Sequence, residues 1–429
     1  MVIHTVQPGD SLYRIAQMHG VPLPFLIQQN ELREPYRLTP GQAIVVPQPT
    51  QTYTVKRGDT LGDIAARNGT TVLALWQNNP QLGGTDRIYP GQSLVLSYGP
   101  KLGTFAVNGY AYPNIDVRVL RKTLPYLTYL SVFSYGFDSM GRLLPQNADL
   151  LTRMARQYGV RPLLVLTTLG EDGQFSGERA HRLFQDTASR SALVENLAQT
   201  LAAQGFAGVD IDFEFVPPED AAAYAAFVRD VRARLEPAGY TVLVALAPKT
   251  SSGQRGLLYE AHDYRAMGAA ADYVLLMTYE WGYALSEPMA VAPLDKVAQV
   301  VRYATSVIPP EKIFLGIPNY GYDWTLPFIR GQSRARTIGN VQAVEQAIQV
   351  GAPIQYDETA QSPHYNYWRD RAEHEVWFED ARSIRAKLAL AGEYRLHGVS
   401  VWNIMRWFPQ LWLVLNNPVS YTHLRAHET

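Results

Sequence analysis

Asp210, Asp212 and Glu214 stand two residues apart in the run Gly-Val-Asp-Ile-Asp-Phe-Glu-Phe at positions 208 to 215, with Val209, Ile211, Phe213 and Phe215 alternating between them. On an extended strand, side chains two apart share a face, so this spacing lines three carboxyl groups along one side and apolar groups along the other. Like charges that close do not all ionise cheaply. Such crowding keeps a carboxyl protonated near neutral pH, as a general acid requires. Acidic residues at strand ends can also serve only to bind backbone or arginine, but three on one inward face favour catalysis.

The remaining composition narrows the chemistry. Cysteine is absent from the 429 residues, which removes disulfides, thiolate nucleophiles and cysteine-bound zinc. The nine histidines are scattered without a His-Glu-x-x-His or comparable spacing, so neither a metal nor a cofactor is expected. A net charge of −1 gives no reason to expect nucleic acid or an anionic membrane surface. No apolar run reaches membrane-spanning length, and the opening residues lack the charged start and apolar core of a cleavable signal peptide. Aromatic residues make up 11% of the chain, 26 of them tyrosine, and their flat apolar faces with polar edges suit sugar rings.

The acidic run must be held by its neighbours. Upstream, Leu193, Val194, Leu197 and Leu201 recur at helical spacing and Gly205 follows where a helix-ending glycine belongs. Downstream, Pro217-Pro218-Glu219-Asp220 is a helix-start signal. Eight candidate strands cover 103–110, 129–135, 161–167, 208–215, 241–247, 273–278, 313–318 and 398–402. Helical patterns at 148–158, 221–235 and 291–307 alternate with them. Alternation of this kind predicts an α/β fold with a parallel sheet, and eight copies predict a closed (β/α)8 TIM barrel with the carboxylates at the strands' C-terminal, active-site end. The stretch from 320 to 395 is too long for one connection. It predicts a small α+β insertion between strands seven and eight (about 320–380), with a helix over 340–350 and a few strands, before a helix over 381–390.

The first hundred residues repeat. His4-Thr-Val-Gln-Pro-Gly-Asp-Ser-Leu12 returns as Tyr53-Thr-Val-Lys-Arg-Gly-Asp-Thr-Leu61, Asn30 matches Asn79, and Pro40-Gly-Gln42 matches Pro90-Gly-Gln92. Each copy reads as a βααβ module, 1–48 and 51–98, with Pro47 to Thr50 as the joint between them. These modules resemble LysM domains, which bind glycans containing N-acetylglucosamine such as peptidoglycan and chitin. The resemblance places sugar between the opening turn and the loop before the closing strand. Gly9, Asp10, Ser11 and Leu38 would flank it in the first copy, and Gly58, Asp59, Thr60 and Ile88 in the second.

Residues 101–418 resemble a glycoside hydrolase family 18 catalytic domain, whose fourth strand carries Asp-Gly-x-Asp-x-Asp-x-Glu. Gly208, Asp210, Asp212 and Glu214 match that motif, while Ala207 replaces its first aspartate, at a modest expected cost. Met277-Thr-Tyr279, Gly316-Ile-Pro-Asn-Tyr-Gly321 and Trp402 agree with other landmarks of the family. The resemblance implies hydrolysis assisted by the substrate's own acetamido group, with retention at the anomeric carbon. Glu214 would be the general acid, Asp212 would hold the acetamido N–H, Asp210 would share a proton with Asp212, and Tyr279 would align the acetamido oxygen. Trp402 would form the sugar-binding floor, with Met277, Asn319, Tyr320, Glu280, Tyr110 and Trp377 lining the cleft. Glu280 stands where many members carry aspartate.

Two LysM modules ahead of this hydrolase resemble the spore cortex-lytic N-acetylglucosaminidases, which act on peptidoglycan. That implies a place in the spore coat, cortex or cell wall, with spore coat or cortex proteins as possible neighbours. A chitinase and a non-catalytic lectin are the alternative readings. Residues 419–429 read as a translated sequencing adapter and are set aside from the fold.

Overall fold

Eight parallel strands close into a barrel in the computed structural model, which describes residues 1–99, 103, 105–170 and 174–416. The strands are Ala106–Ala111, Tyr129–Tyr135, Arg161–Thr167, Gly208–Asp212, Thr241–Leu246, Tyr273–Leu276, Ile313–Pro318 and Gly398–Trp402. Pairing of Val399 with Val107 joins the last strand to the first. Alternation sorts their side chains. Tyr129, Leu163, Val165, Leu243, Ala245, Leu275 and Phe314 fill the barrel's interior. Val132, Leu164, Val209, Ile211, Val244, Val274 and Leu315 point outward and pack under the surrounding helices.

The expected (β/α)8 architecture is present, and the differences lie at strand ends. The fourth strand stops at Asp212, three residues earlier than its alternation suggests. Its pairing with the fifth strand ends at Ile211 opposite Val244, and the carbonyl of Phe213 bonds to His262 instead. Phe215 adopts a left-handed backbone (φ 57°) and is 40% exposed, so it does not belong to the apolar face. The fifth strand ends at Leu246 and the sixth at Leu276, each short of its expected end. In the sixth, the N–H groups of Thr278 and Tyr279 turn back to the carbonyls of Leu276 and Met277 (2.8 and 2.9 Å). The first strand begins at Ala106; part of the segment expected to start it lies outside the described residues. So does the tail at 419–429.

The insertion between strands seven and eight is a five-stranded antiparallel sheet. Its order is Arg336–Ile338, Gly321–Thr325, Ala372–Trp377, Ser362–Arg369 and Gln355–Asp357. Helix Asn340–Val350 covers one face through Ala343 and Ala347 against Ile338, Tyr365, Val376 and Phe378. On the other face Tyr322, Trp324 and Trp377 join Tyr320, Tyr279 and Trp402 at the barrel mouth. Helix Ala381–Glu393 then returns the chain to the barrel, with Asp380 and Ser383 forming a capping box.

Both N-terminal modules have the βααβ order. In the first, Val2–Thr5 pairs with Ala43–Val46 around helices Leu12–Met18 and Leu23–Asn30. In the second, Gln51–Thr54 pairs with Ser93–Ser97 around Leu61–Arg67 and Val72–Asn78. Modules this small have little core of their own. They are docked on the barrel and, for the first module, on the insertion as well. Ala43 and Val45 enter the core beneath the barrel's helices. Glu31 accepts the Trp407 indole N–H at 2.7 Å and pairs with Lys122, Ile354 N–H donates to the Pro40 carbonyl at 2.8 Å, and Thr39 Oγ1 donates to the Ala352 carbonyl at 2.8 Å. A Cβ on Gly41 would lie 1.7 Å from the Ile354 carbonyl oxygen, so this contact admits only glycine. The second module sets Trp76 against Tyr158 (5.2 Å between rings), and Gln77 Nε2 donates to the Pro125 carbonyl at 2.8 Å.

Candidate active site

The three carboxyl residues climb from the barrel's interior to its mouth. Asp210, the lowest, is fully buried, with the Ser131 hydroxyl 2.8 Å from its Oδ2. Ser131 Oγ also lies 3.1 Å from Asn108 Oδ1, and Asn108 Nδ2 donates to Ser400 Oγ at 3.0 Å. A hydroxyl has one hydrogen, so donation to Asn108 leaves Ser131 to accept a proton held by Asp210. Burial pushes the Asp210 carboxyl up to about 7, against the pull of the Tyr110 and Ser131 hydroxyls. Tyr110 itself is buried, its hydroxyl beside Asp210 but outside hydrogen-bonding geometry.

Asp212 ends the strand. Burial, then the charges of Glu214 and Asp210, raises its carboxyl well above the ordinary range. Its Oδ1 is buried without a hydrogen-bond partner, as is Oδ1 of Asp210. Glu214 sits just past the ladder, where the residue reaches solvent while its carboxyl stays enclosed. Enclosure first, and the charge of Glu280 second, push it up to about 7. Burial therefore favours a proton retained within the Asp210–Asp212 pair and another on Glu214 into the neutral range, which is the condition for proton donation.

Tyr279 faces all three. Burial, then Asp212, Glu214 and Asp210, raise its hydroxyl well above the usual tyrosine range, so it remains a donor. Its ring lies against the seventh strand at Gly316, where a Cβ would come within 2.9 Å of it and 2.5 Å of the Leu276 carbonyl oxygen. Glu280, next in sequence, has a left-handed backbone (φ 66°) that turns its carboxylate toward the insertion. There it accepts the hydroxyls of Tyr320 and Tyr322, the latter at 3.0 Å. Burial raises its carboxyl, and the two hydroxyls oppose the rise.

Trp402, at the end of the eighth strand, is half-buried, packed edge-on by Phe133 (5.1 Å) and Tyr110 (5.2 Å). Met277 packs against the same interior cluster. Trp377 stacks on His364 at 4.3 Å and donates its indole N–H to Glu375 at 2.7 Å, within the apolar group that contains Trp402 and Tyr320. Asn319 is differently employed. It is buried, and its side-chain amide donates to the carbonyls of Asn403 and Arg406 at 2.9 Å each, bracing the loop after the eighth strand. Ala207, where the family motif has aspartate, sits half-exposed at the strand's foot. Among the described residues, no group of three or more His, Cys, Asp or Glu residues could hold a metal ion.

A family model for the glycosyl hydrolases family 18 matches residues 116–406, around this column of carboxyls. The chain belongs to glycosyl hydrolases family 18. It is a glycoside hydrolase, and LysM domain models match residues 4–47 and 53–97. The cortical fragment-lytic enzyme of Bacillus anthracis is 38% identical over 423 residues, covering 96% of this chain and 97% of the relative. Its counterpart from Bacillus subtilis (strain 168) is 39% identical over 425 residues, covering 97% and 98%. The crystal structure of the Bacillus cereus spore cortex-lytic enzyme SleL superposes with a TM-score of 0.83 at 38% identity, covering 97% of this chain and 98% of that one. Among described residues, no helix is long and apolar enough to cross a membrane.

The LysM residues singled out from sequence take four structural roles. Gly9 (φ 84°) and Gly58 (φ 88°) shape exposed turns. Asp10 and Asp59 fasten those turns: each accepts a backbone N–H, from Gln7 and Lys56 at 2.8 Å, and binds a ring, His4 at 2.9 Å and Tyr53 at 2.8 Å. Ser11 and Thr60 cap the following helices. Leu38 and Ile88 pack half-buried against their modules' cores. Sequence reasoning missed Ser131, Asn108 and Tyr322. Ser131 shares the inward face of Tyr129 and Phe133, and Tyr322 follows Tyr320 at strand spacing, so the same alternation argument could have found both.

Proposed function

We propose that this chain hydrolyses β-1,4 bonds of N-acetylglucosamine in spore cortex peptidoglycan or its fragments, by a substrate-assisted retaining reaction. The observation that carries the reading is the placement of Glu214 just past the strand that ends in Asp212, its carboxyl enclosed and raised to about 7 by burial and by Glu280. Glu214 donates that proton to the glycosidic oxygen as the bond breaks. The acetamido carbonyl of the sugar attacks the anomeric carbon, so no protein nucleophile is needed. Asp212, with a free buried oxygen, takes the acetamido N–H once the single proton it shares with Asp210 has moved onto Asp210, where Ser131 lies beside it. Tyr279 donates to the acetamido oxygen. Trp402 stacks beneath the ring. Tyr320, Trp377, Tyr110, Met277 and Glu280 complete the walls.

The LysM modules hold glycans containing N-acetylglucosamine, and in a spore they place the enzyme in the cortex or coat, among cortex or coat proteins. The substrate assignment draws on relatives named as cortical fragment-lytic enzymes. Mass spectrometry of products from purified spore cortex, vegetative wall and chitin tests it. New reducing-end N-acetylglucosamine from cortex fragments is the expected result. Exclusive release from chitin would overturn the substrate, and release from none would leave a glycan-binding lectin.

A further inference from the structure

Phe213 lies between Asp212 and Glu214, where the fourth strand has stopped pairing with the fifth. Its ring is fully buried and lies nearly parallel to Tyr224 (5.6 Å, 12°) and Phe227 (5.7 Å, 16°) of helix Ala221–Leu235. Its carbonyl, beyond the reach of the ladder, lies 3.1 Å from Nε2 of His262. His262 is 1% exposed and sits in the connection between the fifth strand and helix Tyr264–Ala270. Its other nitrogen, Nδ1, receives the N–H of Ala247 at 2.8 Å.

These two bonds leave the ring one tautomer. A backbone N–H can only donate and a carbonyl can only accept, so Nδ1 is bare and Nε2 carries the hydrogen. Burial first, with the Lys249 charge adding to it and the Phe213 carbonyl opposing, holds the ring's pKa down to about 4. Between about pH 4 and 7 the ring is neutral while Glu214 still favours its protonated form. Its own backbone is tied as well. Lys249 Nζ donates to the His262 carbonyl at 3.1 Å, the Tyr264 hydroxyl donates to the Ala247 carbonyl at 2.7 Å, and Lys249 N–H donates to that hydroxyl at 2.9 Å. The exits of two adjacent barrel strands are thus joined through one imidazole.

We infer that His262 is a positioning residue for the reaction: by holding the Phe213 peptide it fixes the relative placement of the Asp212 and Glu214 side chains, without itself touching sugar. This rests on Glu214 being the acid. A buried, fully bonded histidine is ordinarily a packing feature. This one is distinguished by the peptide it grips, the single link between two carboxyls whose mutual geometry decides turnover.

The test compares His262→Gln with His262→Asn in the full-length protein on soluble muropeptides. Glutamine offers a carbonyl acceptor and an N–H donor at similar reach; asparagine is one methylene short of spanning Ala247 to Phe213. Assays run below the lowest melting temperature of the set. The expected result is a kcat within about threefold of wild type for glutamine, and a loss of about tenfold or more for asparagine with KM within about twofold. Wild-type kcat in the asparagine variant, a change confined to KM, or an equal loss in glutamine would overturn the inference. An asparagine chain that does not fold would also overturn it, by making the residue a determinant of the fold. Glu214→Gln is the control: if that variant stays active, the assignment of the acid fails, whereas an inactive Glu214→Gln beside a fully active His262→Asn sinks only the role of His262.

Discussion

The carboxylate of Glu280, in the turn that follows the sixth barrel strand, accepts the hydroxyl of Tyr322 from the inserted sheet at 3.0 Å. The contact ties the insertion to the residue whose charge raises Glu214. Replacing Glu280 by glutamine removes a negative neighbour, which makes ionisation of Glu214 easier and lowers its pKa. The wild-type kcat/KM is expected to fall as pH rises through about 7, where Glu214 loses its proton. In Glu280→Gln that falling limb moves to lower pH. A pH–rate profile checks it, and a limb that stays in place or moves upward contradicts the electrostatic link.

Glu214→Gln preserves the shape of the side chain and removes the transferable proton. Turnover is expected to fall by ~10²–10⁴-fold while binding to insoluble peptidoglycan is retained. Single-turnover measurements with co-sedimentation separate the two effects.

Asp210→Asn should stabilise the protein in alkaline solution. The carboxyl's folded pKa of about 7 lies above that of an unfolded aspartate. The native state therefore binds the proton more tightly, and this contribution is complete below the unfolded pKa and lost as pH rises through about 7. Asparagine is neutral at every pH. Melting temperatures are expected to rise relative to wild type near pH 8 and to differ little near pH 4. Activity should fall with the loss of the proton shared with Asp212.

Gly41→Ala tests the docking of the first LysM module. The added carbon meets the Ile354 carbonyl oxygen at 1.7 Å and a backbone at φ 83°, so the contact must open. Strain at such positions costs about 1–3 kcal/mol. Faster proteolysis near the first module is expected, with kcat on soluble fragments unchanged because the carboxyl column lies elsewhere. Deleting both modules is a harsher change, since Ala43 and Val45 are part of the core beneath the barrel's helices.

The barrel was legible because parallel strands buried on both faces write themselves as short apolar runs, and several of them, such as Tyr129–Tyr135 and Ile313–Pro318, appear with the bounds their patterns suggest. The acidic alternation at 210, 212 and 214 was equally plain. What sequence could not supply was where pairing stops. Phe215 continues the alternation, yet its strand has already ended because His262, 49 residues away, takes the Phe213 carbonyl. Asn319 carries a polar side chain beside the mouth, and only coordinates reveal that two backbone carbonyls occupy its amide. Alternation puts Ser131 on the inward face, but its tie to Asp210, 79 residues away, is written only in the tertiary fold. Tertiary contacts decide such residues.

Two wall-binding modules joined by a loose tether would let the catalytic mouth sweep a volume around its anchor. Here Glu31 and Gln77 bolt the modules to the barrel's side, and Pro40 and Gly41 bolt the first to the insertion at Ile354. A polysaccharide strand gripped by them meets the cutting edge at one set offset and heading. On the proposed function, such a mounting would make the molecule a caliper, whose choice of bond along a wall follows from rigid measurement.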